Sequence, residues 1–220
     1  MHMGKANRVH ALLLITILAG CTTFAGGGQF QAGRRALIVG DPETALGYFS
    51  AVAEQEPNYV NVIQNYRESV WTYLGRAQYE TKRYQEARKS LERALSLNRD
   101  DPTARLYFGL TLMHTEDMSG GVKEVEAGMK GLYDWIEYMN RTRPFQDFWD
   151  PSRQIRKQID QDLAVIATRD VKPEQLIADA EWVGKMFEEE LDKVRDDERR
   201  QFDRDFDRRR GVSFGLGIGF

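Results

Sequence analysis

The stretch ESVWTYLGRAQYETKRYQEARKSLERALSLNRDD, residues 68–101, decides the fold. Its Leu74-Gly75, Tyr84, Ala87, Leu91 and Ala94 come back 34 residues later as Phe108-Gly109, Met118, Gly121, Val125 and Gly128. Upstream, Ala32-Gly33, Ala45, Phe49 and Val52 keep the same order at a shift of 42, with the 8 additional residues falling around Val60–Arg67. Gln55-Glu56-Pro57-Asn58 and Asn98-Arg99-Asp100-Asp101-Pro102 punctuate the units, because proline cannot continue the helix before it.

A period of 34 carrying Trp71, Leu74, Gly75, Tyr84, Ala87, Leu91 and Ala94 closely resembles the tetratricopeptide repeat (TPR). The likeness is strongest over 68–101, weaker over 26–59 and weakest over 102–135. It implies that each unit is a helix, a turn and an antiparallel helix, with Gly75 and Ala87 where the two cross and Leu74, Tyr84 and Leu91 filling the space around the crossing, and hence an all-α chain: a short α-α superhelix of about three TPR-like helix pairs over 29–135. Gly120, Gly121, Gly128 and Gly131 each cost the last unit about 1 kcal/mol of helix propensity against alanine, unless they admit the helix that follows. The resemblance further implies that the first helix of each pair lines a concave groove suited to an envelope protein or peptide. Phe30, Arg34, Leu37, Thr72, Arg76, Tyr79, Leu106, Leu110, Met113 and His114 would face it, with Arg34 and Arg76 placed to pair with a partner carboxylate. The family's chaperone-binding members clamp a terminal carboxylate with Lys and Asn. Here those positions hold Phe30, Arg34, Tyr73, Thr103 and Tyr107, so that ligand is not expected. Three units make a small groove, with residues 136–194 available to fill part of it.

Ahead of the repeats, Lys5 and Arg8 precede the apolar run Ala11–Leu18 and the small residues Ala19-Gly20. This is the order of a secretory signal over 1–20, and the run is too short to span a bilayer. Leu18-Ala19-Gly20-Cys21 resembles the lipobox of bacterial lipoproteins. That likeness implies cleavage before Cys21, lipidation (palmitate among the chains) of Cys21, and membrane attachment through the lipid. In that family an aspartate at the next position retains the protein at the inner membrane, so Thr22 implies an outer-membrane, periplasm-facing location. Loss of 1–20 takes Lys5 and Arg8 with it and makes the net charge of -3 two units more negative. Residues 21–28, the lipidated cysteine followed by Thr-Thr-Phe-Ala-Gly-Gly-Gly, are expected to be a flexible tether.

Beyond the repeats, residues 136–172 are expected to cap the stack and add a helix. Tyr133, Trp135, Tyr138, Phe145, Phe148 and Trp149 plug its open end or offer an aromatic docking surface. Asp150-Pro151 is a helix start with Asp as N-cap, and Ile155, Ile159, Leu163 and Ile166 follow on one face. Over 173–210 a long helix begins at Lys172-Pro173-Glu174. Its stripe Leu176, Ala180, Val183, Phe187, Leu191, Val194 is packed, and its charged remainder carries only Phe202 and Phe206 as apolar anchors. Residues 211–220 alternate Val212, Phe214, Leu216, Ile218 and Phe220 with Ser or Gly. As an extended strand they would share one face and need a sheet edge, a groove or copies of themselves; otherwise the tail is disordered. The stretch also looks like the closing signal of outer-membrane barrel proteins, although nothing else in the chain supplies barrel strands.

Composition narrows the chemistry. Hydrophobic residues at 41% and charged residues at 30% exclude a disordered chain and a multi-span membrane protein. Near-neutral charge with interleaved acids and bases argues against nucleic acid as a partner. The sequence has no nucleophile elbow, zinc helix or phosphate loop, and a single cysteine and three histidines leave little for a metal centre. No catalytic residue, metal or cofactor is expected. The reading is a non-enzymatic, lipid-anchored scaffold for another envelope protein, one that would assist assembly of an outer-membrane complex. The alternative is a structural component that assembles or augments a sheet through Phe214, Leu216, Ile218 and Phe220.

Overall fold

The computed structural model describes residues 22–115, 117–142 and 149–215. Three antiparallel helix pairs follow one another: α1 (Thr22–Ile38) with α2 (Pro42–Gln55), α3 (Val70–Glu80) with α4 (Tyr84–Leu97), and α5 (Pro102–His114) with α6 (Met118–Thr142). Helices α7 (Gln154–Thr168) and α8 (Pro173–Gly215) complete the expected all-α superhelix with its helical extension.

The repeat registers in space as it does in sequence. In each pair a first-helix glycine meets a bulky residue sixteen positions later. A Cβ on Gly33 would come within 2.8 Å of the Phe49 ring, and one on Gly75 within 2.5 Å of Leu91. On Gly109 it would lie 2.5 Å from the Val125 backbone nitrogen, which cannot step aside. Gly109→Ala is therefore expected to cost about 1–3 kcal/mol by overpacking. Gly47→Ala, exposed inside α2 with open space around it, should stabilise by roughly 0.5–1 kcal/mol. Urea unfolding of the two variants reads both signs, and equal responses would refute the crossing.

Gly121 and Gly128 turn toward α5, where a Cβ on Gly128 would sit 2.6 Å from the Leu106 backbone nitrogen. They admit their own pair partner and not the helix that follows. Helix α6 accordingly runs 25 residues, straight through position 135. The prolines mark beginnings: Asp41 and Asp101 cap α2 and α5 through the amides of Thr44 (3.1 Å) and Ala104 (2.9 Å), with Pro42 and Pro102 next in line.

The extra residues between the first two pairs form a hairpin, β1 (Val60–Ile63) against β2 (Tyr66–Ser69), in register Val60↔Ser69 to Ile63↔Tyr66. Gln64 turns it in the left-handed region, φ 55°. Asn61, Ile63, Tyr66 and Glu68 face inward, while Val60, Val62 and Arg67 face out.

Two expectations about segment ends are corrected. Residues 22–28 of the expected tether fall inside α1, which already begins at Thr22; a Cβ on Gly26 would displace the Glu56 carboxylate that packs against it. Asp150 caps α7 from further back than expected. Its carboxylate accepts from the amides of Ile155 (3.1 Å) and Arg156 (3.0 Å), and the helix starts at Gln154, after a turn through Pro151. Trp135 and Trp149 meet edge to face at 4.4 Å and cover Phe187 of α8, so these two rings plug the stack. Tyr138 stays 42% exposed, and Phe145 and Phe148 lie outside the described residues.

Candidate functional site

The concave face is lined by α1, α3 and α5, and α8 lies in it. The stripe predicted from the sequence is the reason: Leu176, Ala180, Val183, Phe187, Leu191 and Val194 are all buried against this face and its plug. Polar groups complete the seat. Glu188 Oε1 accepts from Arg34 Nε at 2.6 Å, and Glu188 Oε2 lies 3.3 Å from Arg76 Nη1. The hydroxyl of Tyr73 is 3.1 Å from Glu188 Oε2 and 2.7 Å from Glu68 Oε2 on β2. Tyr79 donates to Glu181 Oε1 at 2.6 Å. Arg76 also pairs with Glu80 at 2.8 Å and lies over the Tyr107 ring, 5.1 Å from its centroid. Gly184 of α8 lets Tyr107 approach where a Cβ would be 2.6 Å from its hydroxyl.

The groove residues expected from the sequence therefore divide. Arg34, Arg76 and Tyr79 converge on a carboxylate-bearing helix, but that helix belongs to this chain, and the three side chains are buried beneath it. Thr72 points away and gives its hydroxyl hydrogen to Asp101 Oδ2 (2.7 Å), tying the second pair to the cap of the third. Phe30 packs among Phe49, Tyr59 and Tyr73 at centroid distances of 5.3, 4.8 and 4.8 Å. Leu106 and Met113 meet the glycines of α6, and Leu110 lies fully buried in the core. Only His114 is exposed, stacked on Tyr84 at 4.5 Å. As a surface open to a partner, this set is corrected. One part of the groove stays uncovered: a cavity of about 360 Å³ where Tyr79, Tyr84 and Tyr107 face Leu37, Lys82 and Lys185.

Sequence reasoning did not identify Glu68, Glu181 and Glu188 as site residues. The two α8 acids follow immediately after the stripe residues Ala180 and Phe187 and are seven apart, so they share a helix face. That spacing was the available signal. Burial, and after it the Glu188 charge, pushes the Glu68 carboxyl up to about 8. Burial likewise lifts Asp101 to about 6, against the donors that hold it down.

Cys21 lies outside the described residues, as do Leu216, Ile218 and Phe220. Phe214 falls in the last turn of α8, which continues as helix to Gly215, so the extended-strand expectation fails over 212–215. Among the described residues no three His, Cys, Asp or Glu side chains gather as a metal-holding group, and no helix is long and apolar enough to cross a membrane.

A family model described as tetratricopeptide repeat matches residues 69–101, the segment formed by α3 and α4 with the turns around them. No curated protein and no solved structure matches the chain. The chain contains a tetratricopeptide repeat within an all-α helical-repeat fold. Repeats of this kind are typically protein–protein interaction modules.

Proposed function

We propose that the protein is a non-enzymatic scaffold of the outer membrane, held by acylated Cys21 on the periplasmic side, and that it meets another envelope protein through the C-terminal half of α8. The lipobox-like Leu18-Ala19-Gly20-Cys21 and the following Thr22 support the anchor and its location. The course of α8 supports the contact. Its partners move from Tyr79 at Glu181 to Arg34 at Glu188, and then to Gln31 beside Arg195. Helix α8 thus leaves the body toward Thr22, the start of α1 and the neighbour of Cys21. From Arg195 to Gly215 about 30 Å of helix projects. On it Phe202 is 71% exposed and Phe206 49%, their rings stacked at 6.5 Å amid charges of both signs. Exposed Phe202, on a rod that runs toward the Thr22 end, is the single observation on which the reading stands: a large apolar ring that the fold leaves mostly in water, on a projecting helix, offers a contact.

A photo-reactive residue at Phe202, compared in cells with one at Tyr48 on the opposite flank of the repeats, tests it. One envelope protein trapped from Phe202 and not from Tyr48 is the expected result. Nothing trapped, or the same species from both positions, overturns the scaffold. The anchor is tested separately by the mass of the mature amino-terminal peptide: a free thiol at Cys21 overturns the acylation and leaves the contact standing.

A further inference from the structure

The hairpin closes over one side of the groove, and the way it is fastened is unusual in its proton count. Tyr73 has one hydroxyl hydrogen and stands between two carboxylates, 2.7 Å from Glu68 Oε2 and 3.1 Å from Glu188 Oε2. It cannot donate to both. Glu188 already has the two guanidinium groups of Arg34 and Arg76 to hold its charge. Glu68 is 1% exposed and has Tyr73 alone as a hydrogen-bond partner among the described residues, its Oε1 making none. One arrangement satisfies all three groups: Glu68 keeps its proton and gives it to the tyrosine oxygen, and the tyrosine hydrogen goes to Glu188. We propose that Glu68 is a carboxylic acid in the closed fold and that loss of its proton releases the hairpin, making the Glu68–Tyr73–Glu188 chain a proton-operated latch.

The groups that face Glu68 explain why its ionisation acts on the hairpin and not elsewhere. They are Arg34 from α1, Tyr73 from α3, Asp101 from the connection between α4 and α5, and Glu188 from α8, with Tyr66 beside it on its own strand. The two acids repel a charge on Glu68. Arg34 attracts it but is committed to Glu188 at 2.6 Å. Helices α1, α3 and α8 are each fixed by their apolar stripes. Among the described residues the sheet has two strands, so no further strand there holds the hairpin. Its inward anchors besides Glu68 are Ile63, Asn61, which accepts a long 3.5 Å hydrogen bond from Gln31, and Tyr66, with a 2.6 Å hydroxyl contact to Thr103. Swinging β2 outward brings a charged Glu68 into water at the smallest structural cost and uncovers Arg34, Tyr73 and Glu188 at the side of the groove. Burial with Glu188 nearby lifts the Glu68 carboxyl to about 8, and opening returns it to the ordinary carboxylate range, so the latch is tightest in acid, loosens progressively as pH rises through neutrality, and has lost its hold above about 8.

Hydrogen exchange of the full chain, corrected for the intrinsic pH dependence, tests this between about pH 6 and about pH 9. One proton released per opening makes the opening constant of residues 60–69 rise about tenfold per pH unit from pH 6 up to the Glu68 value near 8 and level off above it, while amides in α5 hold steady. In Glu68→Gln the amide keeps a donor for the tyrosine oxygen and cannot ionise, so the slope vanishes. The same slope in Glu68→Gln, or an equal rise in α5, overturns the latch. Should that variant fail to fold, the side-chain carboxyl carbon of Glu68 is followed by NMR in the unsubstituted chain. A midpoint near 8 supports the proposal, and one in the ordinary carboxylate range overturns it.

Discussion

A chain ended after Lys172 will not fold, whereas one ended after Arg200 will unfold at nearly the temperature of the whole protein. The difference follows from where α8 spends its apolar surface. Leu176, Ala180, Val183, Phe187, Leu191 and Val194 are each no more than 6% exposed, and Phe187 lies under Trp135, Trp149 and Tyr66. Each large side chain contributes roughly 1.5–3 kcal/mol by burial, which brings the stripe to on the order of 10 kcal/mol. A domain of this size holds only about 5–15 kcal/mol in total. The shorter chain also leaves Arg34 and Arg76 facing a vacated apolar groove. Past Arg200, by contrast, the exposed pair Arg208–Asp205 at 3.9 Å is worth a few tenths of a kcal/mol. Far-ultraviolet circular dichroism with thermal unfolding distinguishes the two truncations. A sharp transition in the shorter chain would mean that α8 is a removable lid on a self-sufficient repeat body, and the groove would then be free for another helix.

Much of this architecture could be read from residue order because it depends on short periodicities. Gly33 with Phe49, Gly75 with Leu91 and Gly109 with Val125 keep one spacing, and each pair meets in space because each lies at the same crossing of two helices. The stripe from Leu176 to Val194 was legible for the same reason. What covers a stripe was not. Periodicity names the buried face of a helix and is silent on which surface meets it, so Arg34, Arg76 and Tyr79 were assigned to an outside partner when α8 supplies the acids. Leu106 and Met113 went wrong through a finer ambiguity: positions one turn apart on a first helix face the groove or the second helix, and the glycines of α6 drew these two inward. The hairpin was hidden by its own polar interior. Asn61 and Glu68 occupy inward positions where alternation would place apolar residues, so the segment did not show the pattern of a strand. At the far end the alternation from Val212 misled in the opposite sense. A period of two describes a strand only where something pairs with it, and α8 instead continues as helix to Gly215.

Replacing Glu188 should be the most damaging single substitution in the molecule. Its side chain is 2% exposed, and it is the shared counter-ion of two guanidinium groups that are themselves 1% and 3% exposed. Glu188→Ala removes little apolar contact but leaves buried Arg34 with only the Gln31 amide oxygen at 3.3 Å and the half-exposed Asp192 carboxylate at 3.9 Å, and Arg76 with Glu80 as its one ion pair. Breaking a buried ion pair in this way typically costs about 3–5 kcal/mol, because the remaining charge has been taken out of water with nothing to balance it. The loss should appear as a lower urea midpoint with the slope unchanged. Charge, and not shape, is what the substitution tests, so the triple change Arg34→Met, Arg76→Met, Glu188→Leu is expected to regain most of the lost stability: apolar side chains of similar length need no counter-ion in the same space. If Glu188→Ala costs less than about 1 kcal/mol, the price of an exposed pair, water reaches the cluster and α8 is held by its apolar stripe alone. If both variants lose equally, the fit of the longer side chains matters more than their charge. Recovery in the triple variant alone would show that Glu188 serves to choose the register in which α8 enters the groove, fixing which turn of the helix lies between α1 and α3 and hence how much of it is left to project beside Thr22.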